Sequence, residues 1–402
     1  MKGYSMSRKL PEGILKAFAK GTENTEIPAI FSLWVGISTI SAALGRDCFV
    51  DMGHFVIYPN TYIVLVAGSA KCRKSTSIGF GRKFMENITP KIKMLSQKMT
   101  PEALIGALSG MTAEGDSKIL NEAEGIFVID EMATLLDRNA FKTGMIPILT
   151  KLYDCEDFPY ETRGRGLEDI HNPCLSILGG STADWIKESI PMAAIGGGFT
   201  SRVIFVFKDS YDRLVAWPEI NEKTKQLKLD IAHDLDDIAE LRGSFALTNE
   251  AKELYKTEYI RFMNDSGLFE DHNLAGYAGR RHVTLTKVAM AISASVKDSR
   301  LIDYIDMRIA IDAMKMVEVD MPKVLMAIKS EFVGDASEEV LSLIMNRKRL
   351  YRSTLVKKMA YKLSSQQLNI ILDTLLEYRD NQGNKVITIE QDGNRTIYVY
   401  NK

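Results

Sequence analysis

The chain has 402 residues, 46% of them hydrophobic, with 51 Lys and Arg against 52 Asp and Glu. That length suits two or three domains with buried cores, and the net charge of −1 excludes a chain-wide nucleic-acid surface, so any such surface must be local. Four scattered cysteines (Cys48, Cys72, Cys155, Cys174) without a C-x-x-C pair indicate neither a disulfide framework nor a zinc site, and point to a reducing cytoplasm.

Residues 1–55 read as a helical segment, with helices over Leu10–Lys20 and Ile30–Leu44. The start, MKGYSMSRKLPEG, lacks the apolar core of a signal peptide. Ile27–Gly45 carries no charge over 19 residues, near the length of a membrane span. Pro28, Ser32, Ser38, Thr39 and Ser41 interrupt it, so a buried helix beside a sheet is expected, and no membrane partner.

From 56 to 215 short apolar strands alternate with helices, which predicts an α/β core with a parallel sheet. The strand Tyr62–Ala67 ends at Gly68. Ser69, Ala70, Lys71, Cys72 and Arg73 then lead into Lys74-Ser75-Thr76 at a helix start, the layout of a P-loop. Backbone N–H groups from Gly68 to Thr76 would face phosphate at the positive end of the helix dipole. Lys74 would reach the β- and γ-phosphates of ATP, and the Ser75 hydroxyl would hold Mg²⁺. Arg73 stands where the pattern G-x-x-x-x-G-K-S/T has its second glycine.

The second strand, Gly125–Ile129, runs into Asp130-Glu131, 56 residues after Lys74. Ligands of open α/β sheets bind at the carboxyl ends of strands, so both carboxylates would face the phosphate loop. Asp130 would coordinate Mg²⁺ through water and Glu131 would polarise the attacking water. Between this strand and the next, YETRGRGLEDI suggests a hairpin with Arg163 and Arg165 at its tip, either a DNA-gripping element or a solvated turn. Cys174–Leu178 is the third strand, and Ser181 and Thr182 beyond it are either γ-phosphate sensors or a helix cap. A glycine loop then delivers Ser201-Arg202 to the strand Val203–Phe207. Arg202 is read as an arginine finger for a neighbour's nucleotide or as a structural ion pair.

Residues 216–332 lose the strand signal and read as a helical lid. The last segment, 333–402, shows three short helices (Ser337–Asn346, Arg352–Lys362, Ser365–Tyr378). Two alternating strands follow around Asp392-Gly393-Asn394, the order of a winged helix. From residue 336 onward 11 Lys and Arg face 7 Asp and Glu. Arg349, Arg352, Lys357 and Lys358 are the candidate phosphate contacts, with protein docking or a merely solvated face as the alternatives.

P-loop, Ile-Asp-Glu strand, sensor strand and Ser-Arg step, in this order, resemble an AAA+ ATPase core. Phrases such as NPCLSILGGS and GGGFTSRVIFVF are similar to helicase-like proteins of phages, plasmids and staphylococcal mobile elements, and more distantly to the minichromosome-maintenance (MCM) replicative helicases. The MCM P-loop reads alanine-lysine-serine, which softens the loss of glycine at Arg73. The MCM Ser-Arg-Phe step is matched by Ser201-Arg202-Val203, while the MCM sensor asparagine has no clear counterpart here. The resemblance implies a ring, usually hexameric, with ATP between subunits. It also implies a lid sensor at Arg280 or Arg281, and a hairpin at 163–165 that tracks DNA in the channel. The expected activity is an ATP-driven DNA helicase for a phage or mobile element, with any primase, polymerase or initiator on a separate chain. An initiator or helicase loader that assembles on DNA without unwinding it is the closest rival, and a nucleotide-binding scaffold the third.

Overall fold

A computed structural model describes residues 8–90, 92–109, 123–136, 140, 142–162, 166–189, 198–265, 274–360, 363, 365–379, 384–393 and 395–401. The chain forms two compact units, Met1–Leu325 and Met326–Lys402.

The first unit opens with helices α1 (Ile14–Thr22) and α2 (Ala29–Leu44), then strands β1 (Cys48–Asp51), β2 (Val56–Ile57) and β3 (Tyr62–Val66). Helix α3 (Lys74–Met85), β4 (Met94–Leu95), α4 (Pro101–Leu108), β5 (Glu124–Ile129) and α5 (Met145–Tyr153) follow. A hairpin of β6 (Phe158–Thr162) and β7 (Gly166–Ile170) precedes β8 (Cys174–Ser181), α6 (Ala183–Ser189) and β9 (Val203–Phe207). Five of these strands form one parallel sheet in the order β4-β5-β8-β3-β9, a mixed α/β architecture. Strands β3 and β8 are buried along their whole length, which explains why neither alternates apolar residues with charged ones.

The uncharged segment around α2 is an internal helix. It packs against α1, α3 and β8, and Phe31, Trp34, Ile37 and Ile40 are fully buried. No described helix is long and apolar enough to cross a membrane. Gly81 of α3 makes the α2–α3 contact possible, since a Cβ there would lie 2.5 Å from Val35 Cγ1.

Beyond β9 come α7 (Glu222–Ala239), β10 (Gly243–Ser244), β11 (Ala246–Leu247), α8 (Asn249–Asp265), α9 (Ala275–Val296), β12 (Leu301–Ile302) and α10 (Tyr304–Glu318). Two caps follow side-chain chemistry: Asn221 accepts from Thr224 N at 2.9 Å, and Asp303 and Asp306 form a capping box. The region expected to be wholly helical also contains strand pairs, β10 with β1 and β11 with β12. Two-residue strands are too short to show an alternation pattern in sequence.

The second unit lies after the boundary within α11 (Met321–Arg347). It contains β13 (Arg349–Tyr351), α12 (Arg352–Met359), α13 (Ser365–Glu377), β14 (Ile387–Asp392) and β15 (Arg395–Tyr400). Its antiparallel sheet has the order β13-β15-β14 around a core that includes Ile344, Leu350, Leu355, Leu372 and Tyr398. The hairpin expected at Asp392-Gly393-Asn394 is present: Asp392 pairs with Arg395 and Gly393 takes φ 59° (Asn394 lies outside the described residues). The short strand β13 was not legible in the sequence.

Replacing Gly81 by Ala should force α2 and α3 apart and cost about 1–3 kcal/mol by overpacking. Thermal denaturation checks this; an unchanged midpoint would contradict the packing.

Candidate functional site

The carboxyl ends of β3, β8 and β5 lie level, with Val66 opposite Ser181 and Ile129 opposite Gly179. At this edge β3 passes through an exposed turn, Gly68–Lys71, into α3. Lys71 N donates to Gly68 O at 3.1 Å, and Ala70, Cys72 and Arg73 all take positive φ (56°, 54° and 49°). A left-handed conformation costs a non-glycine residue about 1–2 kcal/mol, so contacts must hold this loop. Arg73, at the position of the missing glycine, is the N-cap of α3, and its guanidinium turns to Glu26 (Nε–Oε2 2.6 Å).

Lys74 begins α3 and is only 5% exposed. Its ammonium donates to Ala67 O (2.8 Å) and Gly68 O (3.1 Å). Burial pulls its pKa below the ordinary lysine range, and the nearby charge of Glu131 opposes that shift. Ser75 and Thr76 are exposed in the first turn of α3, where backbone donors lack intrahelical partners.

Across β8 from the loop stand Asp130 and Glu131. Asp130 pairs with Arg82 of α3 (2.9 Å) and receives a longer contact from Gln97 Nε2 (3.4 Å), while Glu131 is exposed. The close approach of β5 to β8 requires Gly180, where a Cβ would lie 2.5 Å from Asp130 O. Ser181 is buried and its hydroxyl donates to Thr182 O at 3.1 Å. Thr182 accepts from Trp185 N at 3.1 Å, so in this chain alone its side chain caps α6. The loop, Lys74, Asp130, Glu131 and Ser181 are thus brought to one edge. The oxygen donors there, the Ser75 hydroxyl and the Asp130 carboxylate, are of the kind that could hold a hard cation such as Mg²⁺, and Arg82 engages one of the two Asp130 oxygens.

Arg202 is placed elsewhere. It precedes β9, whose first residue Val203 pairs with Tyr62 at the amino end of β3, roughly 16 Å along the strand from the loop. It is buried and bonds Asp154 (Nη2–Oδ2 2.5 Å) and Gly198 O (2.7 Å). Arg280 reaches the same Asp154 carboxylate at 3.0 Å and is partly exposed. Arg281, its neighbour on α9, is enclosed by Glu318 (2.5 Å), Glu258 (3.2 Å) and the ring of Phe262 (4.2 Å). Of the two candidate lid arginines, only Arg280 has its head group near solvent.

The β6–β7 hairpin stands where it was expected, with its tip residues Arg163 and Arg165 outside the described residues. In the second unit, Arg349 pairs with Glu390 and Arg352 bonds Asn369. Lys357 and Lys358 are exposed in the last turn of α12, without an ion pair among the described residues. Glu26, Arg82, Gln97 and Asp154 escaped the sequence reading, because each meets its partner across a long stretch of chain and none sits in a motif. No protein-family model matches this chain, and no curated protein matches its sequence.

The two lid arginines should separate in urea denaturation. Arg281→Ala removes a buried cation shared by Glu258 and Glu318, which among the described residues keep only Arg261 with Lys315 and the Tyr277 hydroxyl respectively, and should cost about 3 kcal/mol. Arg280→Ala, at a half-exposed pair, should cost about 1 kcal/mol or less. Equal losses would contradict this division.

Proposed function

We propose that this chain is an ATP-hydrolysing DNA helicase or translocase of AAA+ type. It would work as a ring of identical copies, six by the resemblance noted above, in replication of a phage or mobile element. The observation that carries the reading is Lys74: a buried ammonium at a helix start, bonded among the described residues only to the carbonyls of Ala67 and Gly68, and electrostatically coupled to Glu131. Such a charge, set among exposed backbone donors at the carboxyl edge of a parallel sheet, suits a nucleoside triphosphate. Lys74 would take up γ-phosphate charge, Ser75 and Asp130 would hold Mg²⁺, and Glu131 would orient the attacking water. Mg²⁺ when bound supplies charge neutralisation at the β- and γ-oxygens. Ser181 lies beside the loop strand and would sense the γ-phosphate.

Arg202 is too far from its own loop to serve it, which supports a role at a neighbour's nucleotide. Its convergence with Arg280 on Asp154 supports the two acting together there, released from that carboxylate when subunits meet. The β6–β7 hairpin supports a DNA-tracking element at Arg163 and Arg165. The order helix, strand, two helices, two strands in the second unit supports a winged helix, with the exposed Lys357 and Lys358 among its candidate phosphate contacts.

Lys74→Ala should abolish ATP turnover with the fold intact, and Arg202→Ala should bind nucleotide yet lose roughly a thousandfold in hydrolysis. Mixing the two variants should restore part of the activity, since some interfaces then carry both intact groups. Steady-state ATPase and forked-DNA displacement assays check this. Turnover by Lys74→Ala, or no rescue on mixing, contradicts the assignment; hydrolysis without strand displacement favours a loader.

A further inference from the structure

The loop between β3 and α3 carries three left-handed residues with side chains, and each is tied to structure outside the loop. Ala70 O accepts from Tyr211 Oη at 3.3 Å. The Cys72 thiol donates to Lys208 O (3.6 Å) and Ser210 O (3.4 Å). Arg73 places Nε 2.6 Å and Nη2 2.5 Å from Glu26 Oε2, and the other oxygen of Glu26 accepts from Val215 N at 3.3 Å. Residues 208–215 therefore run along the loop as a strap, and Glu26 joins strap to loop.

Glu26 is itself well held. Arg213 of the strap donates to the carbonyls of Thr25 (2.7 Å), Thr22 (3.0 Å) and Ile27 (3.1 Å), which fixes the turn that presents Glu26. Asp212 accepts from Ala29 N at 2.9 Å and pairs with Lys208 at 2.7 Å. Contact with Arg73 holds the Glu26 carboxyl below the usual carboxylate range, so it remains charged at neutral pH. The Glu26 side chain is 11% exposed and that of Arg73 52% exposed.

We propose that Glu26 and Arg73 are a positioning pair that takes the place of the phosphate loop's second glycine. Glycine adopts the left-handed conformation at position 73 without cost, whereas an arginine needs an external hold, and Glu26 supplies it. The consequence is a dependence between the two positions: Glu26 matters for nucleotide binding only while residue 73 carries a side chain. The inference rests on the reading of this loop as the nucleotide site, which it deepens.

The test uses the full chain and a fluorescent ATP analogue with Mg²⁺, measured by equilibrium titration. Arg73→Gln keeps a side chain in the left-handed position but lacks the ion pair, and should bind roughly fivefold more weakly than Arg73→Gly. Glu26→Gln should weaken binding to a similar degree in the wild-type background, and by less than about twofold in the Arg73→Gly background. A merely structural Glu26 would give the same loss in both backgrounds. Residue 73 is exposed, so its two variants fold and decide the matter even if Glu26→Gln does not accumulate. Equal affinities for Arg73→Gly and Arg73→Gln, with binding lost in Lys74→Ala, would overturn the pair alone. Equal binding by wild type and Lys74→Ala would overturn the nucleotide reading and the pair's role with it.

Discussion

The site depends on how closely the strand ends can approach one another. Gly180 has Asp130 O where its Cβ would be, and Gly179 has Met132 Sδ at 2.4 Å from the same position. A side chain at 180 would push the end of β5 away from β8 and carry Asp130 and Glu131 with it, whereas one at 179 would first have to displace the Met132 side chain. Because β8 lies between β3 and β5, its last residues form the floor between the loop and the carboxylates. The strand order therefore turns two glycines and a serine into a connecting surface between two charged groups that are distant in sequence.

Lys74 is the energetic counterpart of that geometry. A buried ammonium is costly unless its protons are satisfied, and here two loop carbonyls satisfy part of them. The loop in turn is curved by left-handed residues that the 208–215 strap holds from outside. On the proposed reading, a ligand bearing negative charge would offset the desolvation of Lys74. The far end of the sheet is built differently. There Asp154 ties Arg202 and Arg280 together, so the two basic groups are stored against one carboxylate and away from the loop of the same chain.

Much of this was legible in the amino-acid sequence. The strand, basic loop and Lys74-Ser75 step announced themselves locally, as did the Asp130-Glu131 strand end and the hairpin signal at Asp392-Gly393, because each rests on neighbouring residues. The separate roles of Arg280 and Arg281 were not legible: they are adjacent in sequence but face Asp154 on one side and Glu258 with Glu318 on the other. Thr182 illustrates a related limit. Its spacing fits a sensor and a cap equally well, and only the 3.1 Å contact from Trp185 N shows which bond it makes in the free chain. The hold on Arg73 was invisible for a third reason, since Glu26 lies 47 residues upstream in a turn without any motif.

The most direct measurement is a structure of the chain with ADP and Mg²⁺. The account predicts the β-phosphate inside the 68–74 loop, with the Lys74 ammonium moved from the carbonyls of Ala67 and Gly68 onto phosphate oxygen. Nucleotide bound elsewhere, or a loop that stays empty at saturating ADP with Lys74 still on those carbonyls, would contradict it.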